Sequence, residues 1–170
     1  MELEHITHPL EPIFNEHSRV LLLGTMPSPK SREVGFYYGH PQNRFWRVMA
    51  SLLNEPLSTT NEERTEQILT HGIALWDVLA YCDIAGASDA SIRNPHPNDL
   101  TRVLNAAPIQ AIFCTGTKCH ELYRKLCEPT TGISATRLPS TSAANAALRL
   151  GDLIREYRTI LPYLENTERS

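Results

Sequence analysis

Residues 19–24 read RVLLLG, a continuous apolar run closed by a glycine. A strand with one wet face alternates apolar and polar side chains. A run without alternation has both faces covered, as in a parallel sheet held between layers of helices. Three further segments have this form: residues 72–78 (GIALWDV), 109–114 (IQAIFC) and, with a weaker pattern, 135–138 (ATRL). Helix-like stretches separate them. From position 43 onward Phe45, Met49, Leu52 and Leu53 fall at helical spacing, with Arg44, Arg47 and Ser51 on the opposite side. Thr60-Asn61-Glu62-Glu63 reads as a capping box for a second helix running to about Thr70 and stopped by Gly72.

Asn98 or Asp99 is placed to cap a short third helix that ends before Pro108. Residues 117–126 and 144–161 supply a fourth and a long fifth, the latter with Leu150, Leu153, Ile154, Tyr157 and Leu161 on one face. The order βαβαβαβα predicts an α/β fold, a three-layer α/β/α sandwich with a central, mostly parallel four-stranded sheet. At 170 residues, without repeats or a linker, one domain spanning 1–170 is expected. Residues 83–99 (DIAGASDASIRNPHPND) carry no periodic signal and read as a long loop, the kind that is more often functional than idle.

A net charge of −3 excludes a strongly basic nucleic-acid coat, so polyanion binding would need a local patch. Cys82, Cys114, Cys119 and Cys127 form no C-x-x-C pair, and the seven histidines show neither H-E-x-x-H nor paired helical spacing. No metal and no cofactor are expected, and the thiols are read as reduced and buried. The first twelve residues, MELEHITHPLEP, have neither a basic nor an apolar segment of a secretion signal, and no run is long enough to span a membrane. The expectation is a cytoplasmic protein.

In an open parallel sheet the ligand sits at the carboxyl ends of the strands, so the segments that follow the strands are the ones to question. GTMPSPKS lacks both the dinucleotide fingerprint and the P-loop, and is either a stiff turn that holds backbone N–H groups in place or simply a tight exit from the sheet. CTGTKCHELYRKL offers a glycine, a hydroxyl and Lys118 ahead of a helix, but no arginine at the spacing that a phosphatase-type thiol nucleophile needs. LPSTSAANA sets Ser140, Thr141 and Ser142 directly before the expected fifth helix, either as a phosphate cradle on the helix dipole or as an ordinary N-cap with spare hydroxyls.

GTMPS, followed by YYGHPQNRFW and closed much later by LPSTSAAN, resembles the uracil-DNA glycosylase superfamily, in particular its branch of hypoxanthine (deoxyinosine) DNA glycosylases. The resemblance spans roughly residues 19–160. Mismatch-specific uracil glycosylases place a water-positioning asparagine in the loop after the first strand, where this chain has Thr25. A hydroxyl lacks the two-donor, one-acceptor face of a carboxamide. In the hypoxanthine branch the essential amide lies in H-P-x-N, which maps onto Asn43. Ala143 stands where that branch usually has a proline, which leaves the loop's rigidity open.

The resemblance implies hydrolysis of an N-glycosidic bond in DNA containing deaminated bases. A base must leave the stack to be reached, at a cost of about a few kcal/mol that stacking on an aromatic partly offsets. Tyr38 is the expected platform, with Tyr37 the second choice and a core role the alternative for both. Thr25, Met26 and His40 complete the base site. Asn43 would orient water and stabilise the departing base, against the alternative of a plain helix cap. Ser28, Ser140, Thr141 and Ser142 would hold phosphates, with Lys30, Arg32, Arg44, Arg47 and Lys118 as charge donors. Asp77, Asp89 and Arg93 receive no role, and a monomer is expected. Uracil, including mismatched uracil, is the alternative base. A non-catalytic nucleic-acid binding module and a hydrolase of free nucleosides are the readings from other classes.

Overall fold

A computed structural model describes residues 2–164. The strands are β1 (Glu4–Thr7), β2 (Val20–Gly24), β3 (Ile73–Asp77), β4 (Leu79–Ala85), β5 (Ser88–Pro97), β6 (Ala111–Thr115) and β7 (Ala135–Leu138). The helices are α1 (Pro29–Val34), α2 (Phe45–Leu52), α3 (Asn61–Thr70), α4 (Thr101–Leu104), α5 (Thr117–Leu122), α6 (Glu128–Thr131), α7 (Leu150–Tyr157) and α8 (Leu161–Leu164). Four strands pair in parallel in the order β3-β2-β6-β7, and helices flank the sheet as an α/β/α sandwich. Every residue of β2 and β3 is buried, as their unbroken apolar runs require. Leu21, Leu22, Leu23, Leu75 and Phe113 form the centre of the core, each side chain contributing about 1.5–3 kcal/mol by leaving water. Because the chain steps from β2 to β3 on one side and then to β6 on the other, the order in which the parallel strands are connected reverses beside β2. A crevice at the strand ends follows from that reversal.

The capping box of α3 is present as expected: the Thr60 hydroxyl accepts from Glu63 N at 3.1 Å, and Glu63 Oε1 accepts from Thr60 N at 3.0 Å. Asp99, rather than Asn98, receives an amide ahead of α4, from Thr101 N at 3.1 Å. Asn98 instead donates its side-chain amide to the Asp77 and Leu79 carbonyls.

Three expectations need correction. The supposed loop 83–99 is largely a strand ribbon, in which β4 pairs antiparallel with both β1 and β5 to make a second sheet. Register shifts along the β4–β5 pair and the prolines at 95 and 97 erase the two-residue alternation that would have announced it. The fourth helix does not run unbroken through 126: α5 ends at Leu122 and Tyr123–Cys127 form a π-helical turn before α6. Pro129 in the first turn of α6 has no N–H to continue the ladder, and the wider turn precedes it. The fifth helix starts at Leu150, not at residue 144, so Ser140, Thr141 and Ser142 have no helix N-terminus behind them.

Among the described residues no helix is long and apolar enough to cross a membrane.

Candidate active site at the strand ends

The carboxyl ends of β2, β3 and β6 and the segment after β7 open on a cleft of about 680 Å³. Gly24 ends β2 and Thr25 follows it, Asp77 comes from β3, Thr115 from β6 and Ser140 from beyond β7. The segment 37–43 and the β4–β5 hairpin, through Gly86, Ala87 and Asp89, complete its walls. A wider groove of about 810 Å³ lies along α3 and is lined by none of the strand ends. Among the described residues no cluster of His, Cys, Asp or Glu is placed to hold a metal ion.

Asn43 sits in the cleft wall one residue before the N-cap of α2. Its Oδ1 accepts from Phe45 N at 2.9 Å and from the Thr141 hydroxyl at 2.8 Å. A backbone N–H can only donate, so the amide's orientation is fixed, and the hydrogens on Nδ2 are the groups left for a ligand. His40 shapes the approach, because its carbonyl accepts from Asn43 N at 2.9 Å and its Nδ1 from Gln42 N at 3.1 Å. The ring of His40 is exposed on the cleft wall.

Tyr38 adopts the left-handed conformation (φ 53°), which turns its ring against Phe45 with centroids 3.9 Å apart and planes 12° from parallel. Phe45 is fully buried and Tyr38 only half-buried, so the tyrosine lies between a fixed core ring and the cleft. Its hydroxyl is buried with no partner in full hydrogen-bond geometry, and the Thr115 side chain is close enough to act on it. Burial, reinforced by the Asp77 carboxylate, holds that phenol well above its usual pKa, so it remains a donor. Tyr37 is part of the core: its hydroxyl donates to the Glu11 carbonyl at 2.7 Å and its own carbonyl receives Trp46 Nε1 at 3.0 Å.

The phosphate candidates divide. Ser28 caps α1, accepting from Ser31 N at 3.2 Å, and also lines the cleft. Ser140 and Ser142 line it as well, their hydroxyls accepting from the amides of Ser142 and Ala144. Thr141 is 2% exposed and gives its hydroxyl hydrogen to Asn43, so it supports the amide and has no open face for a phosphate. Thr25 and Met26 line the cleft beside Gly24.

Arg44 stands elsewhere than a phosphate donor should. Its guanidinium donates to the carbonyls of Thr141, Ser142, Asn145 and Leu148, and its backbone N–H to Thr141 again. That clamp satisfies the carbonyls of segment 141–148 from outside, which is why this alanine-rich stretch does not coil into a helix. Arg32 and Arg47 donate to the Pro27 and Pro41 carbonyls, and Lys30 faces Glu33 at 3.5 Å. Lys118, by contrast, makes no hydrogen bond or ion pair among the described residues, and its charge is felt at Asp89 on the cleft rim.

Two residues received no role from the sequence: Asp77, which lines the cleft, and His8, which does not line it but meets Asp77. Asp77 is 4% exposed, and His8 Nε2 meets its Oδ2 at 2.7 Å. His8 arrives from the segment after β1, 69 residues earlier, and no local pattern connects the two. Gly24 is required beneath them, because a Cβ there would collide with Asp77 Oδ1.

The sequence profile of the Uracil DNA glycosylase superfamily matches residues 11–164. The chain belongs to that superfamily. This glycosylase is similar to a hypoxanthine DNA glycosylase of Methanosarcina acetivorans, 33% identical over 135 residues, 78% of this chain and 84% of that protein. It is also similar to a hypoxanthine DNA glycosylase of Methanosarcina barkeri, 32% identical over 112 residues, 65% of this chain and 71% of that protein. In structure it resembles a candidate uracil DNA glycosylase of Methanosarcina acetivorans solved by NMR. The TM-score is 0.81 at 26% identity, over 96% of this chain and all of the other. As a DNA glycosylase it acts on a base that must leave the helix.

Proposed function

We propose that the cleft receives a deaminated base from DNA, hypoxanthine in first place, and that Asn43 assists hydrolysis of its N-glycosidic bond. The observation that carries this reading is the fixed amide of Asn43. With Oδ1 held by Phe45 N–H and the Thr141 hydroxyl, Nδ2 is a preorganised donor in the cleft wall, beside the half-buried ring of Tyr38. Bond cleavage builds negative charge on the departing base, and a donor that needs no reorganisation lowers that barrier. The oxygen already accepts two hydrogen bonds, so Asn43 serves the leaving base first and water second. Tyr38 offers its free face to the flipped base, backed by Phe45. Thr25, Met26 and His40 line the same space.

Hypoxanthine is favoured over uracil by the names of the two Methanosarcina relatives. The chain acts as one domain, as a monomer, in the cytoplasm and without a cofactor in this reading. DNA phosphates are held at Ser28, Ser140 and Ser142, with Lys118 as a nearby cation. The test is single-turnover release of base from oligonucleotides bearing deoxyinosine or deoxyuridine, single-stranded and paired. Wild type releases hypoxanthine and Asn43→Ala does not; release at an undiminished rate by Asn43→Ala would remove the residue from this role. Binding without release by wild type would favour a non-catalytic module, and activity confined to free deoxyinosine a nucleoside hydrolase.

A further inference from the structure

We infer that Asp89, on the β4–β5 hairpin, is the general base of the reaction and takes the proton of the water that attacks the sugar, with Ser91 and Arg93 positioning it. The inference deepens the proposed function and rests on it, since it supplies a group that Asn43 cannot be.

An amide does not titrate, and Asn43 Oδ1 already accepts from Phe45 N and the Thr141 hydroxyl. The proton of the attacking water must therefore go elsewhere. The titrating side chains that line the cleft are Tyr37, Tyr38, His40, Asp77 and Asp89. Burial holds both phenols in their protonated forms. His40 Nδ1 already accepts from Gln42 N at 3.1 Å, so Nε2 carries a hydrogen and offers no lone pair. Asp77 is 4% exposed, with Oδ2 held by His8 and Oδ1 against Gly24. Asp89 is the carboxylate that both lines the cleft and is open to water.

The hairpin holds that carboxylate in place. The buried Ser91 hydroxyl accepts from Ala85 N at 2.8 Å and donates to the Ser88 carbonyl at 2.6 Å, closing the turn through Gly86 and Ala87. Arg93 donates to the Ala90 carbonyl at 3.3 Å and the Ile92 carbonyl at 2.9 Å. Asp89 lies between Ser88 and Ala90, the two residues these bonds fix. A flipped nucleotide stays tied to its backbone, so the base enters deepest and the sugar stops at the rim, where the hairpin stands.

Loss of water on the cleft side raises the Asp89 carboxyl above its usual range, while Lys118 of α5 pulls it down. The Cys82 thiol of β4, which also feels Arg32, is the group on which Asp89 acts in turn. A DNA phosphate beside Lys118 would offset that pull and make Asp89 more basic once substrate is bound. As the water oxygen bonds to C1′, its proton passes to Asp89 and the C1′–N9 electron pair leaves with hypoxanthine. Asn43 Nδ2 meets the negative charge on the departing base, which then takes a proton from solvent.

Single-turnover base release from deoxyinosine oligonucleotides, followed between about pH 5 and 8 at saturating enzyme, tests this. The wild-type rate should rise with pH along one acid limb lying above the ordinary carboxylate range, then level off. Asp89→Asn should melt like wild type, lose the limb and be slower by about a hundredfold, the lower end of what a general base contributes. It should bind an oligonucleotide bearing a non-hydrolysable 2′-fluoroarabino inosine no more weakly than wild type. Asp89→Ala should regain part of its rate with added formate, a small carboxylate able to stand in for the missing one. Ser91→Ala should be slower by about fivefold with the limb in place, the worth of one hydrogen bond that positions the base. Asp89→Asn as fast as wild type, or retaining the limb, would overturn the inference while leaving Asn43 its role. Loss of the limb in Asp77→Asn alone would overturn it as well. No base release by wild type from any substrate would remove the proposed function, and this inference with it.

Discussion

The Thr141 hydroxyl donates to Asn43 Oδ1 at 2.8 Å, across 98 residues of sequence. Together with Phe45 N–H it decides which way the amide faces. Thr141→Ala should leave Asn43 in place but free to turn. Single-turnover base release should fall by about fivefold, the worth of one lost hydrogen bond of roughly 1 kcal/mol, with binding of substrate DNA nearly unchanged. Thr141→Ser keeps the donor and should stay within about twofold of wild type. A Thr141→Ala protein as fast as wild type would show that the amide needs no such hold.

Asn43→Asp separates holding from donating. The carboxylate oxygen can still accept from Phe45 N and Thr141, so the fold and melting temperature should be preserved. The hydrogens of Nδ2 are gone, and the rate of base release should drop by about a hundredfold to a thousandfold, as when a preorganised donor is removed. Activity near wild type would mean that the oxygen, and not the nitrogen, does the chemistry.

Arg44 ties the start of α2 to four carbonyls of segment 141–148. Arg44→Ala should lower unfolding free energy by about 2–4 kcal/mol, since several charge-assisted hydrogen bonds are lost together and the carbonyls left behind gain only water. Arg44→Lys should recover little, because an ammonium cannot span the carbonyls that the planar fork reaches. Chemical denaturation measures the loss. Faster amide hydrogen exchange in residues 142–149 of the variant would locate it.

Several phenols and thiols are buried in their protonated forms. Burial pushes Cys127 and Tyr123 each up to about 12, and raises Tyr157 and Cys119 as well. Each raised pKa means that the native state keeps a proton which the unfolded chain releases. The stability these groups contribute is whole below the unfolded values near 9 and 10, and drains away as pH rises towards 12. Between pH 9 and 12 the unfolding free energy should fall by up to about 1.4 kcal/mol per pH unit for each such group. Urea unfolding at pH 7, 9 and 10.5 reads the slope, and Cys127→Ala should flatten it. A stability independent of pH across that range would contradict the protonated burial.

How much of this was legible in sequence depends on distance along the chain. The parallel strands announced themselves because both faces of β2 and β3 are dry, and α3 because Thr60 and Glu63 complete their capping box within one turn. Segment 83–99 hid a ribbon because bulges break the alternation on which strand recognition rests. Segment 144–149 passed for helix because alanine favours one locally, while the group that takes its carbonyls, Arg44, is about a hundred residues away.

The sequence by itself determined the α/β/α frame, the strand-end location of the cleft and, through its resemblance to the superfamily, Asn43 and Tyr38 as residues of interest. Each of these follows from patterns a few residues long, where local sterics and hydrophobic period govern. Tertiary structure alone decided which atoms of those residues remain available. It spent the Thr141 hydroxyl on Asn43, placed Phe45 behind Tyr38, and brought His8 from the first strand's end to Asp77. Hydrogen-bond partners are assigned by proximity in space, and only the closed fold brings residues 8 and 77, or 43 and 141, within 3 Å of each other.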